Sequence, residues 1–141
     1  MATNWMTNKG RYDALYAYLN GATIKCLLLD EKFTPSKDHV FADALSHELT
    51  CTGYERKTLG TVVISQDDTL NLGKLTAADI AWAALGPATD GPTVQYAAFI
   101  KFVTTDADSP VIAILDVAKP TNGGVFTLSK HVVNAAFFWL A

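Results

Sequence analysis

Charge is scarce in this chain. Lys, Arg, Asp and Glu make up 18% of its 141 residues, below the ~25% of an ordinary soluble domain. The eleven basic residues are scattered, and the longest basic run is the pair Arg56-Lys57. A nucleic-acid surface needs clustered Lys and Arg to neutralise phosphates, so no nucleic-acid partner is expected. No apolar run approaches the roughly 20 residues of a membrane-spanning helix, so no membrane partner is expected either. The opening MATNWMTNKGRYD lacks the basic start and apolar stretch of a secretory signal, and the expected place of synthesis is a reducing cytoplasm. Cysteine is down to two, Cys26 and Cys51, with no C-x-x-C. Two free thiols are expected, with Cys26 a small buried hydrophobe inside TIKCLLLD.

Catalytic motifs are missing too. There is no G-x-S-x-G, no G-x-x-x-x-G-K-[ST] and no G-x-G-x-x-G. His47-Glu48 opens like a zinc-protease helix, but Cys51 stands where the second histidine belongs. His39, His47 and His131 share no local pattern, and Gly123-Gly124 leads into a strand rather than a phosphate-binding helix. The acidic groups Asp67-Asp68 and Asp106-x-Asp108 fall in turn-like segments, where Asp side chains bond nearby backbone amides. An enzyme would need paired carboxylates facing one cleft, drawn from Asp30, Glu31, Asp67 and Asp68, and nothing in the sequence brings these together. A surface-aromatic glycan site would place Trp82 on the outside. The chain is read as non-enzymatic, with no cofactor and no metal.

What is present is apolar and β-rich. Half of the residues are hydrophobic, and 141 residues suffice for one domain that buries roughly two thirds of its unfolded surface. The central feature is VQYAAFIKFV-TTDADSP-VIAILDV, Val94 to Val117. Two apolar runs flank a short polar break, which predicts a hairpin or two neighbouring core strands. In the first run neither alternating face is polar, so both faces are expected to be covered.

Around it, Tyr12, Leu15, Tyr16 and Leu19 recur at helical spacing within 11–19, stopped by Asn20-Gly21. Strands are predicted at 23–30, 49–57 (with a bulge at Gly53), 61–65, 69–75, 76–85, 125–128 and 134–140. A short helical piece is expected near 40–45, turns at 66–68 and 121–124 (the latter type I′), and a loop at 86–92. The expected fold is mainly β: an antiparallel sandwich or jelly-roll-like domain of about eight strands with one short N-terminal helix, all in a single domain spanning 1–141.

Both ends are greasy. Residues 1–8 read as a docking arm carrying Trp5 and Met6. The last seven residues, Ala135 to Ala141, are uninterruptedly apolar, whereas a half-buried strand alternates. The final strand is therefore expected to be central in its sheet or to lie under another subunit. The interface candidates are Trp5, Met6, Phe137, Phe138, Trp139 and Leu140. Low charge itself admits two accounts, a tight β-rich core or a surface covered by other chains.

A series of segments resembles a family of small structural proteins of tailed bacteriophages. They are Lys9-Gly10 before a leucine-containing helix ending Asn20-Gly21, the strand Thr23 to Asp30, and FTPSKDH (Phe33 to His39) followed by Phe41. TGYERKTL (Thr52 to Leu59), Ala78-Asp79-Ile80-Ala81-Trp82, TDADSPVIA (Thr105 to Ala113) and Thr121 to Gly124 with Phe126-Thr127 continue the series. In order they span almost the whole chain; only the apolar C-terminus departs from the pattern. The resemblance implies a virion structural protein, first a capsid decoration (cement) protein on the outer surface of the shell. Its partners would be the major capsid protein and further copies of itself, as a trimer or dimer. It would be assembled in the host cytoplasm and end on the capsid surface. A tail or head–tail connector component is the alternative. The family supplies no catalytic residues.

Overall fold

The computed structural model describes residues 5–86, 92–131 and 134–141. It is mainly β, antiparallel throughout, with one α-helix near the N-terminus, which is the class expected. Among the described residues there are nine strands. The chain divides into two compact units by contact. The first comprises Met1–Ala22, Gly60–Asp79 and Ser129–Ala141; the second comprises Thr23–Leu59 and Ile80–Leu128. The predicted loop at 86–92 lies almost wholly outside the described residues.

In the first unit, helix α1 (Asn8–Leu19) packs on a three-stranded sheet of β3 (Val63–Asp67), β4 (Leu72–Thr76) and β9 (Phe138–Leu140), in the order β3-β4-β9. The helix begins three residues before the sequence pattern suggests. Thr7 caps it: its hydroxyl accepts from the Gly10 N–H at 3.0 Å while its own backbone stays extended. Lys9 and Asp13 add an exposed i,i+4 pair. Asn8 donates to Asp68 and Asn71, and Arg11 donates to the Asn71 carbonyl, tying the first turn to the β3–β4 connection. Gly73 on β4 allows the closest approach, since a Cβ there would lie 2.7 Å from the Arg11 carbonyl carbon.

Of the predicted helix face, Leu15 and Leu19 are buried, each worth about 1.5–3 kcal/mol. Tyr12 is half-buried, and Tyr16 stays exposed, its ring 5.6 Å from that of Tyr12. The predicted turn at 66–68 actually falls at 68–71. Asp67 ends β3, and its carboxylate accepts from the Thr69 and Leu70 amides, so the acidic residue builds the turn from its edge.

In the second unit a four-stranded sheet runs β2-β1-β6-β7, from β1 (Thr23–Leu29), β2 (Lys57–Thr58), β6 (Thr93–Phe102) and β7 (Val111–Pro120). The Val94–Val117 hairpin is present, and β1 pairs along nearly the full length of β6. Both faces of the central pair are covered. Leu27, Leu29, Ala98 and Ile100 form one cluster with Phe33 and Ala42, while Cys26, Leu28, Ala97 and Phe99 are buried on the other face. Burial pushes the Cys26 thiol pKa up, as expected of an inert core cysteine.

The helical piece expected near 40–45 is a single 3₁₀ turn, Ala42–Ala44. The strand expected at 49–57 is mostly irregular. Only β2 at its end and a bridge between Leu29 and Glu48 are extended pairings. The reason is Gly53, which sits at φ +83° against another segment; a Cβ there would lie 1.8 Å from the Ala84 carbonyl oxygen.

A separate two-stranded ribbon joins β5 (Ile80–Trp82) to β8 (Phe126–Leu128), with Trp82 opposite Phe126 and their rings 5.9 Å apart edge to face. The 121–124 turn is not type I′. Gly123 alone has positive φ, and the Asn122 side chain accepts from the Gly124 N–H. The turn links strands of different sheets rather than closing a hairpin.

Candidate interaction surfaces

The residues singled out at the two ends belong to the first unit, and the structure separates them. Trp5 is 84% exposed and Met6 51% exposed. The helix starts at Asn8 and is capped by Thr7, so the described part of the arm is only Trp5 to Thr7. At the other end, the apolar run divides. Phe137 is 1% exposed and Phe138 also lies in the core, whereas Trp139 is 37% exposed and Leu140 half-buried. Of the two alternatives for the last strand, a central place in its sheet is not met among the described residues, where β9 is an outer strand paired with β4. Its apolar character has a local origin: Phe137 and Phe138 fill the unit's own core, and Trp139 faces outward with the His131 ring 5.2 Å away.

β3, the opposite outer strand, carries the second exposed patch. Val62 and Val63 are exposed, Val63 by half. With Tyr16, Leu19, Asn20, Gly21, Ala22 and Ile64 they line a groove of about 470 Å³ without a charged residue. Of the twelve large apolar residues exposed among the described residues, eight belong to this unit: Trp5, Met6, Tyr16, Tyr18, Val62, Val63, Leu70 and Trp139. Outer strands with exposed apolar side chains and no lysine, proline or bulge are prone to pair with other chains.

In the second unit one cluster of polar side chains is satisfied internally. Arg56 forks between two carboxylates. Its Nε and Nη2 donate to Glu48, and its Nη1 and Nη2 donate to Asp106 at 2.6 and 2.8 Å. Tyr54 donates its hydroxyl proton to the same Glu48 and accepts from the Leu28 N–H. Burial, then the Glu48 contact, pushes the Tyr54 phenol upward, and the Arg56 guanidinium holds the Asp106 carboxyl below its ordinary value. Such bidentate, charge-assisted contacts fix position rather than catalyse. They pin the irregular 48–56 segment and the 106–108 turn to one sheet. The sequence kept these residues apart: Arg56 read as half of a basic pair and Asp106 as a turn former.

The other acidic residues do local work. Asp108 accepts from the Thr104 and Thr105 amides in a capping box, Asp30 accepts from the Lys32 amide, and Asp67 pairs with Lys74. Trp82 is 1% exposed with its Nε1–H bonded to the Glu55 carbonyl, so it offers no outward platform for a sugar. Among the described residues no three His, Cys, Asp or Glu side chains gather in a metal-binding group. No helix among them is long and apolar enough to cross a membrane. No protein-family model, curated protein or solved structure matches the chain.

Proposed function

We propose that this protein is a structural component of a tailed-phage virion, a decoration protein that docks on the outside of the major capsid shell and on further copies of itself. The observation that carries the reading is the crowding of exposed apolar residues onto one unit, with Trp5, Met6, Val63 and Trp139 at its ends and outer strands. The resemblance of the ordered segments to phage structural proteins supplies the virion. Docking of this kind needs no reactive centre. It needs modest contacts of roughly 1,200–2,000 Å² or less, repeated over a symmetric lattice so that repetition supplies avidity.

The test is co-sedimentation with capsids that lack the protein, using the intact chain and a Trp5→Ser, Met6→Ser variant. These changes spare the Thr7 cap, which a deletion of residues 1–8 would remove. The intact chain is expected to pellet with capsids at hundreds of copies per particle and the variant to pellet much less. A few to a few dozen copies would assign it to the connector or tail instead. Failure of the intact chain to bind any particle contradicts the proposal.

A further inference from the structure

We propose that the outer edge of β7 is a slot for an extended, carboxylate-bearing peptide segment from a partner protein, which adds to the second unit's sheet as a fifth strand. β7 is an outer strand, so alternate N–H and C=O groups along it face away from β6. Its two ends are closed to pairing by local devices. At the start, Val111 N–H is already bonded to the Val40 carbonyl, and Phe41 bridges Pro110. Towards the end come the exposed Asp116, a break in register between Tyr96 and Val94 with Ala118 at φ +50°, and then Lys119 and Pro120. Bulges, charges and proline are what natural sheets use to block an edge. A second break in register falls at Ile112, between the Val111 and Ala113 pairings, and the stretch from Ala113 to Leu115 carries none of these devices.

That open window is where the protein has a groove. A hollow of about 520 Å³ runs between residues 112–114 and the 35–39 loop, within the size range of peptide and small-ligand sites. Its floor is apolar. Its far wall brings Lys37 and His39, and no carboxylate lines it. Lys37 has no ion-pair partner among the described residues. His39 holds Nδ1 away from solvent without a hydrogen-bond partner, its ring set edge-on 5.3 Å from that of Phe33. Backbone hydrogen bonds from the edge, apolar contacts below and the Lys37 ammonium opposite define the occupant. It is an extended strand with alternating apolar side chains and at least one carboxylate. This inference does not rest on the virion reading, because it invokes only the edge, the groove and its charge.

The probes are two blocked pentapeptides, one alternating valine with glutamate and one alternating valine with lysine. Each is titrated into the full-length protein while amide exchange and amide shifts are followed by NMR. The glutamate peptide is expected to slow exchange at outward amides between Ala113 and Leu115 and to shift residues 35–39. The lysine peptide is expected to bind about fivefold more weakly, the scale of one or two exposed ion pairs. Lys37→Glu, a surface change that spares the fold, is expected to invert that preference. The proposal is overturned if neither peptide protects the 113–115 amides, if the shifts map elsewhere, or if Lys37→Glu leaves the preference unchanged. Protection of those amides that grows with protein concentration in the absence of peptide would give the edge to a second copy, and would overturn the proposal as well.

Discussion

The two compact units of this chain treat their side chains in opposite ways. The second unit spends its large residues inward. β1 and β6 are buried on both faces, Trp82 is sealed against Phe126, and Arg56, Glu48, Asp106 and Tyr54 satisfy one another. The first unit has a core too, built on Leu15, Leu19, Leu75, Phe137 and Phe138, yet it leaves Trp5, Met6, Tyr16, Val63 and Trp139 in solvent. The second unit keeps most of its large side chains inside, and the first leaves more of its own at the surface. A low overall charge fraction therefore has two sources in one chain, a dense β core in one unit and an uncovered apolar surface in the other.

The comparison breaks most readily at adjacent residues of β9 and its approach. Phe137→Ala is expected to cost about 3–5 kcal/mol, because it empties a fully buried site. Trp139→Ser, two residues on, is expected to cost less, about 1–2 kcal/mol, because more than a third of that side chain is already in solvent. Urea unfolding of the two variants checks this, and equal losses would erase the distinction between core and surface at this terminus.

Next in size is Arg56→Met, expected to cost about 2 kcal/mol by stranding Glu48 and Asp106 as half-buried carboxylates. A double-mutant cycle with Asp106→Asn is expected to show coupling well above that of an exposed pair such as Lys9 and Asp13.

Acid gives a smaller, signed effect. Hydrogen bonds from Arg56 hold the Asp106 carboxyl below its ordinary value. A carboxyl lowered in the folded state contributes stability that is complete above its unfolded pKa, near ~3.9, and is lost as pH falls through the folded value. Melting temperature is therefore expected to fall below about pH 4, and to fall less steeply in the Arg56→Met variant. Parallel pH profiles for the two proteins would remove this contact from the account.

Much of the fold was legible in the sequence because the core strands are apolar on both faces. The β6–β7 hairpin, the β1 strand and the short β5 strand follow from runs that no exposed segment would carry. Boundaries set by side-chain caps were less visible. Thr7 starts α1 without an acidic residue in the first helical turn, and Asp67 closes β3 by bonding amides beyond it. The 49–57 segment misled because its β-formers surround Gly53, whose close approach to Ala84 is a tertiary constraint with no local signature.

The interface candidates were half legible. An apolar run marks side chains that avoid water, but does not say which of them enter the chain's own core, as Phe137 and Phe138 do, and which stay at the surface, as Trp139 does. The Arg56 cluster was illegible, since Asp106 lies fifty positions from Arg56 and only folding brings them together.

The central claim is that the first unit's exposed apolar side chains form an association surface. Equilibrium sedimentation of the intact chain beside a Trp5→Ser, Val63→Ser, Trp139→Ser variant tests it most directly, with thermal melts confirming that both are folded. The account predicts a dimer or trimer for the intact chain and a monomer for the variant, both still folded. A monomeric intact chain, or a variant that associates as strongly as the original, would contradict it.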